Sequence, residues 1–306
     1  MPMPDYVTTF AYQSAICHAP QFAPRDYKHF SVSPVTGAIG ADVEGIDLAT
    51  ATDEAIAELE QALTDHLALM IRDQSLEPAQ QIAFARRLGK PFPWPYARQM
   101  EGYPEITELI QEPGDKYAFG GTWHSDSCNF ECPPKYTMLY CVDCPPVGGD
   151  TGFANQYLAW EALDDDLKAE LDGMRAVQSA ELGYGTGSQD PEVLANTTTT
   201  VQYSSEQFNE ALHPVARTHP VTGRKALYVN DSFTASFEGK TQAESLPLLR
   251  KLWAHSVIPE FTGRLRWKKG SLALWDNRCC MHYAHSDYPG HRREMRRIVV
   301  EGERPA

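Results

Sequence analysis

The chain has 306 residues, of which 42% are hydrophobic and 22% are charged, and its formal net charge is -14. These fractions are typical of a globular protein and exclude a disordered or fibrous chain. The negative charge argues against a nucleic-acid or anionic-membrane partner, because binding to phosphates needs a basic surface. The N-terminus lacks a signal-peptide pattern, and no apolar run approaches the roughly 20 residues of a membrane helix. We therefore expect a cytoplasmic protein without membrane association.

The first hundred residues predict an irregular extension over residues 1–30, followed by two helices. Apolar residues recur at helical spacing from Ile56 onward, behind an N-cap at Thr52. The segment "SLEPAQQIAFARRLGK" predicts a second helix, with Pro78 near its start and Gly89 at its end. The proline-rich connection "PFPWPYARQMEGYP" is expected to contain no regular structure.

From residue 106 onward, short apolar segments bounded by glycine and proline predict many strands with a few inserted helices. The helices are "LAWEALDDDLKAEL" and "AESLPLLRKLWAHSV". Residues 181–214 form a polar segment of about thirty residues, a length typical of a lid over an enzyme site or of a disordered flap. No compositional break marks a second domain. We predict a mainly β fold with inserted helices, a jelly roll that forms one domain over residues 31–306.

The seven cysteines, in a chain without a secretory signal, indicate free thiols in a reducing compartment. Zinc binding is an alternative, because Cys128, Cys132, Cys141 and Cys144 lie close together in the sequence. Cys141 and Cys144 are three apart on a predicted strand. They would face opposite sides of it unless the strand turns at Cys144.

The segment "GGTWHSDSCNF" places His124 and Asp126 two residues apart. Residues i and i+2 of a strand face the same side, so an imidazole and a carboxylate would converge there. Two histidines and one carboxylate on one face of an octahedron are typical of non-haem Fe(II) oxygenases. The H-x-D pattern alone is weak, since a surface histidine and a capping aspartate give the same letters. A third ligand must come from another segment.

That segment is "WDNRCCMHYAHSDYPGHRREMRRIVVEGERP" near the C-terminus. With "TWHSD", "PPVGGDTGFAN" and "HPVARTHPVTGRKALYVN", it resembles the Fe(II)- and 2-oxoglutarate-dependent dioxygenases of the taurine dioxygenase and aryloxyalkanoate dioxygenase family. The resemblance extends over most of the chain. It implies a double-stranded β-helix, the other name of this jelly roll, that uses Fe(II), 2-oxoglutarate and dioxygen. It also implies a homo-oligomer, a dimer or a tetramer.

The resemblance assigns roles to individual residues. His124, Asp126 and His282 match the catalytic iron ligands of the family. Thr151 and Arg293 match the groups that bind the far carboxylate of 2-oxoglutarate. A guanidinium suits this role because its planar fork binds a carboxylate through two hydrogen bonds.

Arg297 matches an arginine that meets the anionic head of the substrate in sulfonate-oxidising members. It lies four residues after Arg293, so both should face one side of the predicted strand. Arg292 and Arg296 should face the other side and remain solvated. The same alternation turns His285 away from the metal, because it follows the third ligand by three residues.

The reaction that the resemblance implies is hydroxylation of a small substrate, with succinate and CO2 as coproducts. The expected substrate is an anion, a carboxylate or a sulfonate, with an apolar body. Taurine itself is disfavoured, because the chain has no histidine between His66 and His124, where taurine dioxygenase carries one that helps bind the sulfonate. A catalytically silent jelly-roll binding protein and a zinc-stabilised structural protein are the alternatives. The candidate substrate-lining residues, besides Arg297, are Phe92, Trp94, Tyr96 and Phe119.

Overall fold

The computed structural model of the protein describes residues 25–185, 190–201 and 209–306. Most of the extension predicted for residues 1–30 lies outside the described residues. Its last part is irregular and docks on the first helix, where the Arg25 and Tyr27 side chains both donate to the Asp65 carboxylate. No helix in the described ranges is long and apolar enough to cross a membrane.

Strands predominate, and helices are inserted between them. A 3-10 turn at Pro259–Phe261 supplements the regular elements. The helices are α1 (Asp53–His66), α2 (Pro78–Leu88), α3 (Gln156–Glu161), α4 (Asp165–Leu171), α5 (Ala180–Tyr184), α6 (Pro191–Ala195) and α7 (Gln242–Ser256). The strands are β1 (Ser31–Pro34), β2 (Ala41–Glu44), β3 (Ala68–Ile71), β4 (Pro91–Phe92), β5 (Gln99–Met100), β6 (Tyr103–Gln111), β7 (Tyr136–Asp143), β8 (Thr151–Asn155), β9 (Arg175–Ser179), β10 (Glu210–Pro214), β11 (Ala216–Thr218), β12 (Lys225–Leu227), β13 (Thr234–Phe237), β14 (Thr262–Leu265), β15 (Leu272–Asp276), β16 (Cys280–Ala284) and β17 (Arg293–Val300).

Two sheets form the sandwich that carries the site. The larger sheet has the order β1-β2-β3-β15-β7-β17-β6-β5, with β4 paired to β17, and only β2 and β3 run parallel in it. The smaller sheet has the order β14-β8-β16. Phe153 of β8 and Trp275 of β15 meet edge to face between the sheets, with ring centroids 5.5 Å apart. The predicted fold class, a jelly roll with inserted helices, is confirmed.

The larger sheet is covered on both faces, which follows from the alternation of its side chains. In β15, Leu272 and Leu274 join a core that includes α1 and α2, whereas Ala273 and Trp275 join the core shared with the smaller sheet. The two helices are where the sequence predicts them. Thr52 caps α1 by accepting a hydrogen bond from the Ala55 amide.

Three connections differ from their predictions. The segment expected to lack regular structure contains β4 and β5; β4 tolerates Pro91 because the proline stands at its first position. The single helix expected after β8 is two helices, since Asp164 caps a new one. The segment 181–214 is not irregular throughout, because its described parts contain most of α5, all of α6 and β10.

Candidate active site

The two candidate histidines are brought together by one pair of backbone hydrogen bonds. The amide of His124 donates to the carbonyl of His282 at 3.1 Å, and the reverse bond measures 2.8 Å. Such a pair places two residues directly opposite one another, and the imidazole centroids lie 4.2 Å apart. His124 therefore lies in an isolated bridge rather than on the expected strand. Asp126 falls in the turn that follows, where Ser127 adopts a φ of 49°.

The turn directs the carboxylate back toward both rings. Asp126 Oδ1 lies 3.8 Å from His124 Nε2 and 3.9 Å from His282 Nε2. Two atoms that each bind one transition-metal ion at about 2.1 Å are at most about 4.2 Å apart, so this spacing fits a single ion. His124 Nδ1 donates to the Thr122 carbonyl at 2.8 Å, which leaves the lone pair of Nε2 for a cation.

The ionisation of these side chains also suits a cation. Burial lowers the pKa of His124, and burial together with His124 lowers the pKa of His282 to about 3. Both rings are therefore neutral at physiological pH, as metal binding requires. Burial would raise the pKa of Asp126, but the guanidinium of Arg297 outweighs burial and lowers the pKa below its usual range. The carboxylate is ionised.

The side chains that hold Asp126 were not predicted from the sequence. The hydroxyl of Thr137, on β7, donates to Asp126 Oδ2 at 2.6 Å and accepts from the Asn277 side-chain amide at 2.8 Å. The Asn277 side-chain oxygen accepts the Trp275 indole N–H at 3.0 Å. Thr137 thus holds Asp126 through Oδ2, while Oδ1 faces the histidines. The only sequence signal was the "WDN" of the C-terminal segment, since nothing distinguishes Thr137 from other strand threonines.

Arg293 and Thr151 both border the cavity that His124, Asp126 and His282 face. Arg293 is 9% exposed, and no carboxylate in the described part of the chain pairs with it. Its Nε has no hydrogen-bond partner there. Burial lowers the pKa of Arg293, but a guanidinium remains charged in a protein. A buried cation without a counterion is unfavourable, so this arrangement suits an anionic ligand.

Arg297 is also buried, but it touches the metal-site carboxylate. Its Nη2 lies 2.5 Å from Asp126 Oδ1, and its guanidinium carbon lies 4.5 Å from the centre of the Trp94 ring. Nη1 has no hydrogen-bond partner among the described residues. Arg293 and Arg297 share one face of β17, as the spacing predicts. The role of Arg297 toward a substrate anion stays a prediction.

The two flanking arginines are less free than expected. Arg292 pairs with Glu112 at 3.1 Å and with Glu294 at 2.6 Å, so it is not simply solvated. Arg296 is half-buried and donates to a backbone carbonyl. His285 packs against the Tyr283 ring and does not border the cavity, in agreement with the strand alternation.

Two adjoining cavities meet at the metal site. Phe119 borders both of them, and Trp94 borders the second. Tyr96 borders neither cavity and is buried against Tyr184, with ring centroids 4.3 Å apart; its place in the substrate pocket stays a prediction. Phe92 also lies outside both cavity walls. The second cavity is lined mainly by aromatic, apolar and hydroxyl side chains, among them Phe119, Tyr184, Leu194, Thr199, Val201 and Phe233.

Within the described residues, the cysteines of the zinc alternative do not belong to a cluster of three or more metal-ligating side chains. Cys141 and Cys144 do interact, because β7 ends at Asp143 and strand alternation no longer applies at Cys144. The other such cluster, besides the His-Asp-His group, is His219, Asp276 and Cys279.

That cluster is a structural network. Asp276 accepts from Arg278 at 2.6 Å and from His219 Nε2 at 3.0 Å. The Nδ1 of His219 accepts the backbone N–H groups of Val221 and Thr222, so Nε2 carries the proton. Neither ring nitrogen therefore has a lone pair for a metal. The His-Asp-His group is the arrangement that suits one.

The comparisons with known proteins agree with this site. A sequence model of the family described as "Taurine catabolism dioxygenase TauD, TfdA family" matches residues 31–299. The alpha-ketoglutarate-dependent sulfate ester dioxygenase of Pseudomonas putida is 34% identical over 276 residues, which cover 90% of this chain and 90% of that protein. The alpha-ketoglutarate-dependent 2,4-dichlorophenoxyacetate dioxygenase of Cupriavidus pinatubonensis is 34% identical over 289 residues, covering 88% of this chain and 96% of that protein.

A comparison with solved structures agrees with the fold described above. The crystal structure of a taurine dioxygenase from Burkholderia xenovorans matches with a TM-score of 0.74 and 31% identity, covering 91% of this chain and 91% of that one. Alpha-ketoglutarate is 2-oxoglutarate, the cosubstrate expected from the sequence. The alternatives, a silent binding protein and a zinc-stabilised structural protein, are not supported by these relatives. The chain belongs to the Taurine catabolism dioxygenase TauD, TfdA family of alpha-ketoglutarate-dependent oxidoreductases.

Proposed function

We propose that the protein hydroxylates a small organic anion that carries an apolar body, using Fe(II), 2-oxoglutarate and dioxygen and releasing succinate and CO2. The anion would be a carboxylate, a sulfonate or a sulfate ester. The observation that carries the proposal is the pair of buried guanidinium groups, Arg293 and Arg297, that border one cavity with a His-Asp-His metal site. Arg297 is paired with Asp126, whereas Arg293 has no anionic partner among the described residues.

His124, Asp126 and His282 would hold the metal. Their donor set of two neutral imidazoles and one carboxylate fits Fe(II) and leaves positions for two further ligands. Bound iron supplies the reduction of dioxygen that couples decarboxylation of 2-oxoglutarate to oxidation of a substrate C–H bond. The protein supplies orientation and limits access of water, because all three residues are buried.

Arg293 and Thr151 would hold the far carboxylate of 2-oxoglutarate. A guanidinium binds a carboxylate through two charge-assisted hydrogen bonds, and a threonine hydroxyl adds a third donor. Both groups are buried, so water competes weakly for these bonds. They would thus set the distance between the metal and the end of the cosubstrate.

The substrate would place its anionic group near Arg297 and its body in the second cavity. Among the described residues that line the two cavities, Asp126 is the sole carboxylate, and it is committed to the metal site. A substrate ammonium group would therefore find no partner, which disfavours taurine. The named substrates of two relatives, a sulfate ester and 2,4-dichlorophenoxyacetate, have an anionic group and support an anion at this position.

Succinate formation tests the proposal. The purified protein would receive Fe(II), 2-oxoglutarate and air together with one of five compounds: hexyl sulfate, hexanesulfonate, 2,4-dichlorophenoxyacetate, taurine or hexanol. We expect one or more of the three apolar anions to raise succinate release above the substrate-free level, and taurine and hexanol to have little effect. The variant His124→Ala is the control and should release none. Stimulation by hexanol alone would contradict the anionic part of the proposal.

The association into dimers or tetramers and the cytoplasmic location stay predictions. Light scattering of the purified protein would measure its mass against the 34.2 kDa of one chain. A mass of one chain at micromolar concentration would contradict the oligomer.

A further inference from the structure

Trp267 contacts both groups that would bind the far carboxylate of the cosubstrate. Its indole N–H donates to Thr151 Oγ1 at 3.0 Å, and the guanidinium carbon of Arg293 lies 5.7 Å from its ring centre. The register of the smaller sheet places it there, because Leu265 is paired with Thr151 and Trp267 follows by two residues. The indole is buried and packs in the core between the sheets.

The hydrogen bond fixes which way the Thr151 hydroxyl can act. A hydroxyl has one hydrogen and two lone pairs, whereas an indole N–H can only donate. Thr151 Oγ1 therefore accepts from Trp267 through one lone pair, and its own hydrogen stays available to be donated. No acceptor for that hydrogen is found within residues 25–185, 190–201 and 209–306. Because Thr151 borders the cavity, the indole leaves the hydroxyl as a donor for a ligand.

The ring acts on Arg293 in a second way. An aromatic face attracts a guanidinium electrostatically, yet it occupies none of the N–H donors. A carboxylate in the same position would neutralise the charge and take two donors. The arrangement thus holds a buried cation while leaving its hydrogen bonds for a ligand.

We propose that Trp267 is a positioning residue for the cosubstrate: one indole orients the Thr151 hydroxyl through its N–H and the Arg293 guanidinium through its ring. This inference rests on the proposed function, because the ligand of the two groups is taken to be the far carboxylate of 2-oxoglutarate. No local pattern in the sequence distinguishes Trp267 from the other tryptophans.

The test is a double-mutant cycle on ligand binding, which needs no turnover. Isothermal titration calorimetry would measure the Kd of N-oxalylglycine, an unreactive analogue of 2-oxoglutarate, with the Mn(II)-loaded protein. The variants are Trp267→Phe, Thr151→Val and both together. We expect Trp267→Phe to raise Kd about five-fold, the equivalent of one neutral hydrogen bond. In the Thr151→Val background, Trp267→Phe should raise Kd by less than about two-fold, because the hydroxyl that the indole orients is gone.

Controls separate this role from general packing. Trp253→Phe is the matched change, since its indole nitrogen has no hydrogen-bond partner among the described residues and it borders neither cavity. It should leave Kd unchanged. If Trp267→Phe does not fold, Trp267→Tyr serves as the second variant, because it keeps a ring and removes the indole N–H.

The outcomes are distinguishable. A Kd for Trp267→Phe equal to that of Trp253→Phe would overturn the inference. The inference would also be overturned if the factors by which Trp267→Phe and Thr151→Val raise Kd multiplied in the double variant, because independent effects on the binding free energy add. If the unmodified protein binds no N-oxalylglycine, the proposed function fails and the inference fails with it.

Discussion

The hydroxyl of Thr137 links the metal-site carboxylate to the C-terminal strands, and its removal gives a defined perturbation. Thr137→Val keeps the branched shape that suits β7 but deletes two hydrogen bonds. One is the bond that Thr137 donates to Asp126 Oδ2, and the other is the bond that it accepts from Asn277. Thr137 is fully buried, so water cannot replace the missing group.

The expected size of the effect follows from these two bonds. A hydrogen bond to a charged group contributes about 1.5–3 kcal/mol, and a neutral one contributes about 1 kcal/mol. We therefore expect the free energy of unfolding of the metal-free protein to fall by about 2.5–4 kcal/mol. Loss of a side chain that orients a metal ligand typically weakens metal affinity by about 10–100-fold, and we expect a change in this range.

Two assays check this prediction. Urea denaturation in the presence of a chelator gives the free energy of unfolding, and Mn(II) titration gives the Kd of the metal. Thr137→Ser is the matched control, since it keeps the hydroxyl and should retain most of the metal affinity. A metal Kd for Thr137→Val within about two-fold of that of the unmodified protein would refute the orienting role.

Three further changes test other parts of the site. Arg293→Lys keeps the charge but loses the bidentate fork, so we expect the KM for 2-oxoglutarate to rise about ten-fold; an unchanged KM would show that the cosubstrate lies elsewhere. Asp276→Asn breaks the buried pair with Arg278 and should lower the free energy of unfolding at pH 7 by about 3–5 kcal/mol in urea denaturation. Burial raises the pKa of Asp276, but Arg278 and His219 lower it by more, so the pKa in the folded protein lies below its ordinary value. The stability that Asp276 provides is therefore present above its unfolded pKa of about 3.9 and is lost as the pH falls through the folded pKa. The free energies of unfolding of Asp276→Asn and of the unmodified protein should therefore differ least in acid. Phe119→Ala should raise the KM for an apolar anion such as hexyl sulfate more than the KM for 2-oxoglutarate, and equal changes would contradict its place in the substrate pocket.

The sequence was sufficient for the fold class, because strand alternation and the N-cap at Thr52 act within a few residues. The set of candidate metal ligands came from the resemblance to the family, since the H-x-D spacing alone is weak and the structure places Asp126 in a turn rather than on a strand. Arg293 and Arg297 face one cavity because alternation holds along β17, even though its register with β7 shifts at Glu294.

The contacts that support the site could not be predicted, because they join distant parts of the chain. Thr137 and Asn277 are 140 positions apart, and Trp267 and Thr151 are 116 apart. Nothing in the local sequence gives such a pairing. The packing of Tyr96 on Tyr184 could not be predicted for the same reason, since an aromatic residue in a proline-rich loop can face a cavity or a core.

An X-ray crystal structure of the protein, grown anaerobically with Fe(II) and 2-oxoglutarate, tests the central claim most directly. We predict a metal bound by His124 Nε2, His282 Nε2 and Asp126 Oδ1, with the far carboxylate of 2-oxoglutarate on Arg293. Iron bound by cysteine thiolates, or a cosubstrate carboxylate away from Arg293, would contradict the account.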